Sequence, residues 1–132
     1  MNPLTIESAL RTAFQPTFTD TTIYLGSDYE ELTPESLNLI ISASDVEHTA
    51  GPLYKVTINV KIMAPALLGA DSLSAFTTAI NSVRSCLDTS YLSTNWPSGS
   101  ATFAGVWIQN TKTSQEQHTW VAEVQAVIGV SE

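Results

Sequence analysis

From Leu53 to Met63 the chain reads LYKVTINVKIM, and its apolar and polar residues alternate more cleanly here than anywhere else. Successive side chains of a strand point to opposite faces, so Tyr54, Val56, Ile58, Val60 and Ile62 share one side and Lys55, Thr57, Asn59 and Lys61 the other. This is the pattern of a central antiparallel strand with one face in a core and the other open to water or a partner.

Before it, Asn2-Pro3 has the form of a helix N-cap followed by proline at the first helical position. Ile6, Ala9, Leu10, Ala13 and Phe14 then repeat at three and four, which predicts a helix ended by Gln15-Pro16. Thr22 to Leu25 is a short strand candidate closed by Gly26, and Ser27 to Ser36 reads as an exposed acidic loop. Leu37 to Ala43 alternates again, with Leu37, Leu39, Ile41 and Ala43 inward. The polar run SDVEHTAGP then connects it to the central strand as a projecting hairpin.

Pro65 ends the central strand, because proline lacks the next ladder donor. Asp71 is read as the N-cap of a helix over Ser72 to Leu87, with Leu73, Phe76, Ile80, Val83 and Leu87 inward and a Ser/Thr-rich face outward. Asp88 to Ser100 reads as a loop folded back on the core through Tyr91, Leu92, Trp96 and Pro97. Thr102 to Gln109 has apolar groups on both sides, predicting a strand covered on both faces, with Gly105 at a bulge or a close backbone approach. NTKTSQEQ reads as a second hairpin connection, and His118 to Val130 as a long final strand. The order α-β-β-β-α-β-β predicts one α+β domain over 1–132: a mostly antiparallel sheet of four to five strands with two main helices packed on one face.

Composition narrows the function. The 132 residues carry 13 acids against 5 Lys and Arg, a net charge of -8. Residues 1–52 hold Glu7, Asp20, Asp28, Glu30, Glu31, Glu35, Asp45 and Glu47 against Arg11 alone. So few cations argue against gripping nucleic acid by counterion release. Charged residues are only 14% of the chain, and Ser and Thr stand in their place. Such a surface is easier to desolvate against another subunit. Cys86 is the single cysteine, so no internal disulfide can form, and it reads as a small packing residue. The first residues lack the cationic start and apolar run of a signal peptide, and no apolar run approaches the ~20 residues needed to span a bilayer.

Catalytic chemistry leaves little trace. There is no glycine-rich phosphate loop, no paired-cysteine zinc pattern and no GxSxG elbow. Asp45, Glu47 and His48 are close enough in sequence to hold a cation, and a polar hairpin tip explains them equally well. His118 reads as a partly exposed turn residue, and Glu7 with Arg11, at i and i+4, as a surface ion pair. No enzymatic activity, cofactor or metal is expected. The candidate contacts are Lys55, Thr57, Asn59 and Lys61 on the open strand face, Asp45, Glu47 and His48 on the first hairpin, and Lys112 and Glu116 on the second.

The layout as a whole resembles the small tail terminator and tail-completion proteins of long, non-contractile-tailed bacteriophages. The leading helix, the acidic loop, GPLYKVTINVKIMAPA, DSLSAFTTAINSVRSCL, FAGVWI and WVAEVQAVIGV carry the resemblance across nearly the full chain. It implies a homohexameric ring in the virion, assembled in the host cytoplasm, that caps the tail tube and joins it to the neck and head-completion proteins. DNA would be passing cargo, and no membrane would be involved. The alternative is another self-associating adaptor, such as a neck or tail tube protein, with a small ligand-binding domain or enzyme behind it. Lys55→Glu combined with Lys61→Glu is expected to leave folding intact and weaken assembly. An unfolded double mutant, seen by circular dichroism, would show the two faces to be inverted.

Overall fold

The computed structural model describes residues 2–19, 21–26, 37–66, 70–99, 101–116 and 118–132, without the side chains at 70–72 and 116. Eight elements follow in order: α1 (Pro3–Phe14), β1 (Thr22–Leu25), β2 (Asn38–Ala50), β3 (Leu53–Pro65), α2 (Ala70–Cys86), α3 (Thr89–Asn95), β4 (Thr102–Glu116) and β5 (Thr119–Ser131). The strands form one sheet in the order β1-β2-β3-β5-β4, antiparallel except where β1 runs parallel to β2. This is an α+β fold with its helices packed on a sheet. α1 lies against β1 and β2, α2 against β3 and β5, and α3 beside β4.

The alternation of β3 holds as read. Val56, Ile58, Val60 and Ile62 are completely buried, and so on the neighbouring strand are Ala122, Val124, Ala126, Ile128 and Val130. They meet Ile6, Leu10 and Phe14 of α1, Phe76 and Val83 of α2 and Leu92 of α3 in a single core. Burying each large aliphatic group contributes roughly 1.5–3 kcal/mol, which is why the sheet sits with this face inward. The cap is also present: Asn2 Oδ1 accepts the Leu4 N–H at 3.0 Å.

Several readings are corrected. The run taken as a connection after Ala43 is strand: β2 continues to Ala50 and turns only at Gly51-Pro52, so Asp45, Glu47 and His48 sit on a paired arm. NTKTSQEQ likewise continues β4 as far as Glu116. Polar side chains conceal both arms in the sequence, because the ladder bonds that hold them are made by backbone. The stretch after Asp88 contains α3, whose N-cap is Asp88 with Oδ2 accepting the Tyr91 N–H at 3.2 Å. α2 begins at Ala70, which places Asp71 inside the helix instead of at its cap, and Leu73 is 47% exposed instead of inward. The acidic loop Ser27 to Ser36 lies outside the described residues.

Glu7 departs furthest from its reading. It is 5% exposed, not a surface partner of Arg11, and its Oε2 accepts the Ala43 N–H of β2 at 3.1 Å while Oε1 is buried without a partner. The helix is thereby tied to the sheet by a polar contact, because a buried amide left unpaired is costly. Tyr91 ties α3 to α1 in the same way: its hydroxyl donates to Ala13 O at 2.7 Å and lies 2.8 Å from Thr17 Oγ1. Burial raises the Tyr91 pKa above its ordinary value, against the Thr17 hydrogen bond that lowers it. Glu7→Ala is expected to cost about 1–3 kcal/mol in urea unfolding, and Glu7→Gln, which keeps an acceptor, less. Equal losses in the two variants would refute a role for the Ala43 bond.

Candidate functional site

Helices cover one side of the sheet, and the side chains of the other can be followed in rows across the strands. Lys55, Thr57, Asn59 and Lys61 all lie on this second side, opposite the buried Val56 to Ile62 set. Beside Lys61, on β5, is Glu123, and beside Glu123, on β4, is Lys112. Asn59 Nδ2 donates to Glu123 Oε1 at 3.2 Å, and Lys61, Lys112, Ser114 and Glu123 line a cleft of about 250 Å³. The two lysines thus flank one carboxylate, leaving this end of the face with a net positive row.

The opposite end carries the larger depression, about 590 Å³, whose walls include Asp45, Glu47, Lys55, Thr57, Trp107 and Gln109. Glu47 stands directly across from Lys55 in the β2–β3 register. Asp45 is the extra residue of a β-bulge, where the register shifts between Ser44 and Val46, and its φ of 45° is one that Asp tolerates better than most residues. On the far wall a second bulge, between Ile108 and Asn110, sets Gln109 into the same groove. Neither the Asp45 nor the Glu47 carboxylate has a hydrogen-bond or ion-pair partner among the described residues.

Trp107 is the residue that sequence reasoning missed. β4 was read as covered on both faces, yet it is an edge strand of the sheet, and Trp107 is 57% exposed. Its ring lies across two glycines paired on adjacent strands: a Cβ on Gly105 would sit 3.7 Å from Trp107 Cη2, and one on Gly129 3.7 Å from Trp107 Cζ3. The expected bulge is present, as a register shift between Phe103 and Gly105, whereas what lies over Gly105 is this indole and not another backbone. Two facing glycines, 105 and 129, are the only local signal of the arrangement, and their pairing is invisible without the strand register.

The nine candidate contacts are therefore not one cluster. Asp45, Glu47, Lys55 and Thr57 share the large groove, and Lys61 and Lys112 share the small cleft, with Asn59 between. His48 is sent to the other side of its hairpin, where its ring lies 5.0 Å from that of Tyr54 and Nε2 bonds Gly51 O. Glu47 and His48, adjacent on one strand, take opposite faces by ordinary alternation, the bulge at Asp45 decides that Glu47 takes the groove side, and the three do not form a common ligand set. Glu116 ends β4, with its side chain outside the described residues. The two hairpins point away from each other: Pro65 pairs with Thr119 at one end of the sheet, and Leu53 with Ser131 at the other. Among the described residues no helix is long and apolar enough to cross a membrane.

No family model matches the chain, and no curated protein matches it. Solved structures are similar, among them a protein whose name states no activity, at TM-score 0.56 and 15% identity, covering 95% of each chain. At that identity the likeness extends to the fold alone, over essentially its full length. Trp107→Ala is expected to change stability by less than about 1 kcal/mol in urea unfolding, because most of the ring is already in water. A loss as large as a core truncation would place the indole among the structural supports of the sheet.

Proposed function

We propose that the chain is a structural component of a phage tail, a terminator that forms a homohexameric ring on the tail tube and joins it to the neck. The observation that carries this reading is the sheet face turned away from the helices, which is exposed around Lys55, Trp107 and Lys112 and closed where Ile40, Met63 and Val121 are buried. The exposed part of this face carries hydroxyl, amide and short apolar side chains, and three of the chain's five cations, Lys55, Lys61 and Lys112, lie on it. Such a face is inexpensive to desolvate against another subunit.

Two hairpins leaving the sheet at opposite ends provide distinct surfaces for a neighbour in the ring, for the tube below and for the neck above. A closed ring requires such unlike surfaces, since each copy meets its neighbours head to tail. Lys61 and Lys112 would meet carboxylates of the adjoining copy, where charge match selects the partner. The excess of acids keeps a conduit from holding DNA by its phosphates, so DNA passes as cargo. On this reading the chain works without catalysis or cofactor, and it resides in the virion. The resemblance of layout described above supports the same assignment, as does the α+β fold.

Size-exclusion chromatography with light scattering tests it. The expected mass is six times 14.2 kDa, either for the protein alone or after mixing with purified tail tubes of the phage that encodes it. A monomer under both conditions, with Lys61 and Lys112 still open to an amine-reactive label, would refute the ring. A stable oligomer that ignores the tubes would favour another self-associating adaptor.

A further inference from the structure

We propose that the groove under Trp107 is a receptor for a cationic side chain, an arginine carried on a segment of a different protein. The inference stands apart from the ring and holds whatever the oligomeric state. It begins with Trp107, a large aromatic side chain 57% exposed, whose outer ring sits over the Gly105 and Gly129 pair beside Val127. An aromatic face attracts a guanidinium through its quadrupole, best where water is partly excluded. Across the groove stand Asp45 and Glu47, two carboxylates against the single ammonium of Lys55, so the groove is net negative. Carboxylates take guanidinium through paired N–H donors, and Gln109 adds an amide oxygen as a further acceptor.

The backbone supports the same conclusion. The ladder between β3 and β5 runs from Leu53 to Pro65 without a shift, while each flanking ladder breaks where it borders the groove. The two interruptions deliver Asp45 from one side and Gln109 from the other, so bulges re-aim polar side chains toward one point. The volume of about 590 Å³ accommodates a side chain of arginine size together with some of its backbone.

Charge identifies the occupant. A second copy is a poor source of the guanidinium. The chain carries only 5 Lys and Arg at a net charge of -8; three of those cations are lysines on the same face, Arg84 already donates to Thr111 Oγ1 at 2.6 Å, and Arg11 is half-buried on α1. A basic segment of a partner protein meets no such shortage.

The test is a nuclear magnetic resonance titration of the intact protein with capped tri-arginine, and with capped tri-citrulline as its uncharged counterpart. Tri-arginine is expected to shift the amides of Asp45, Glu47 and Gln109 and the indole N–H of Trp107 saturably, and tri-citrulline to shift none of them. Trp107→Ala and the pair Asp45→Asn with Glu47→Gln are each expected to weaken binding roughly tenfold, whereas Trp107→Phe retains part of it. Lys112→Ala, at the other end of the face, should leave the affinity unchanged. Raising the salt should weaken the tri-arginine complex.

Equal shifts with tri-citrulline would overturn the proposal, as would shifts confined to the acidic residues of 20–35. So would an affinity indifferent to the groove variants in protein that circular dichroism shows to be folded. Light scattering on the same samples supplies the remaining arm: self-association that the groove variants abolish would assign the groove to a second copy and overturn it too.

Discussion

The unbroken antiparallel ladder between β3 and β5 is the constraint on which everything else rests. Leu53 through Pro65 meet Ser131 through Thr119 residue for residue, with no shift anywhere along the pairing. Side chains alternate with a period of two, so a slip of one position would either bring Lys55 and Lys61 of β3 under the helices and turn Ile58 toward solvent, or do the same to Glu123 and Ile128 of β5. Burying several charges without partners would cost far more than a domain of this size can spare, and the register is therefore fixed. The helices then have one place to go. α1, α2 and α3 cover the dry side, and the other side stays exposed around Lys55, Trp107 and Lys112.

The irregularities lie in the flanking pairs. β2 departs from regular pairing near Asp45 and again between His48 and Ala50, and β4 between Phe103 and Gly105 and around Gln109. An extra residue bends and twists a strand, and here the departures near Asp45 and Gln109 border the same depression. A rigid central pair with irregular flanks gives a surface whose middle is fixed and whose margins are shaped. Trp107 lies over the Gly105 and Gly129 pair, close enough that a Cβ at either position would be in van der Waals contact with the ring. Long edge strands invite unwanted pairing, and the bulges of β4 also disturb the flat template it would otherwise present.

The charge layout divides the open face into unlike ends. Lys61 and Lys112 on either side of Glu123 make one end suited to an acidic partner surface, and Asp45, Glu47 and Trp107 make the other suited to a basic one. A component that must join unlike neighbours benefits from this division, since like charges set face to face reject the wrong partner. The polar ties beneath the sheet serve a different purpose. Glu7 to the Ala43 amide and Tyr91 to the Ala13 carbonyl hold helices in place, and each satisfies a backbone group that the core has taken from water.

The alternation of β3 and β5, the cap at Asn2 and the apolar stripe of α1 were legible in the residues, because each is a local rule: period two, period three to four, or a side chain reaching its own backbone. The class of fold followed from them. The polar arms of β2 and β4 were not legible, since their pairing is made by backbone atoms that every residue has in common. Nor could the residues alone reveal that β4 lies at the edge, that Trp107 is open, that Glu7 is buried or which of Glu47 and His48 takes the groove side. Those depend on which strand lies beside which and on where a bulge reverses the alternation, and such neighbours are chosen by the packing of the whole chain. The sequence thus determined which side of the sheet is dry, and the tertiary structure alone decided how the other side is shaped.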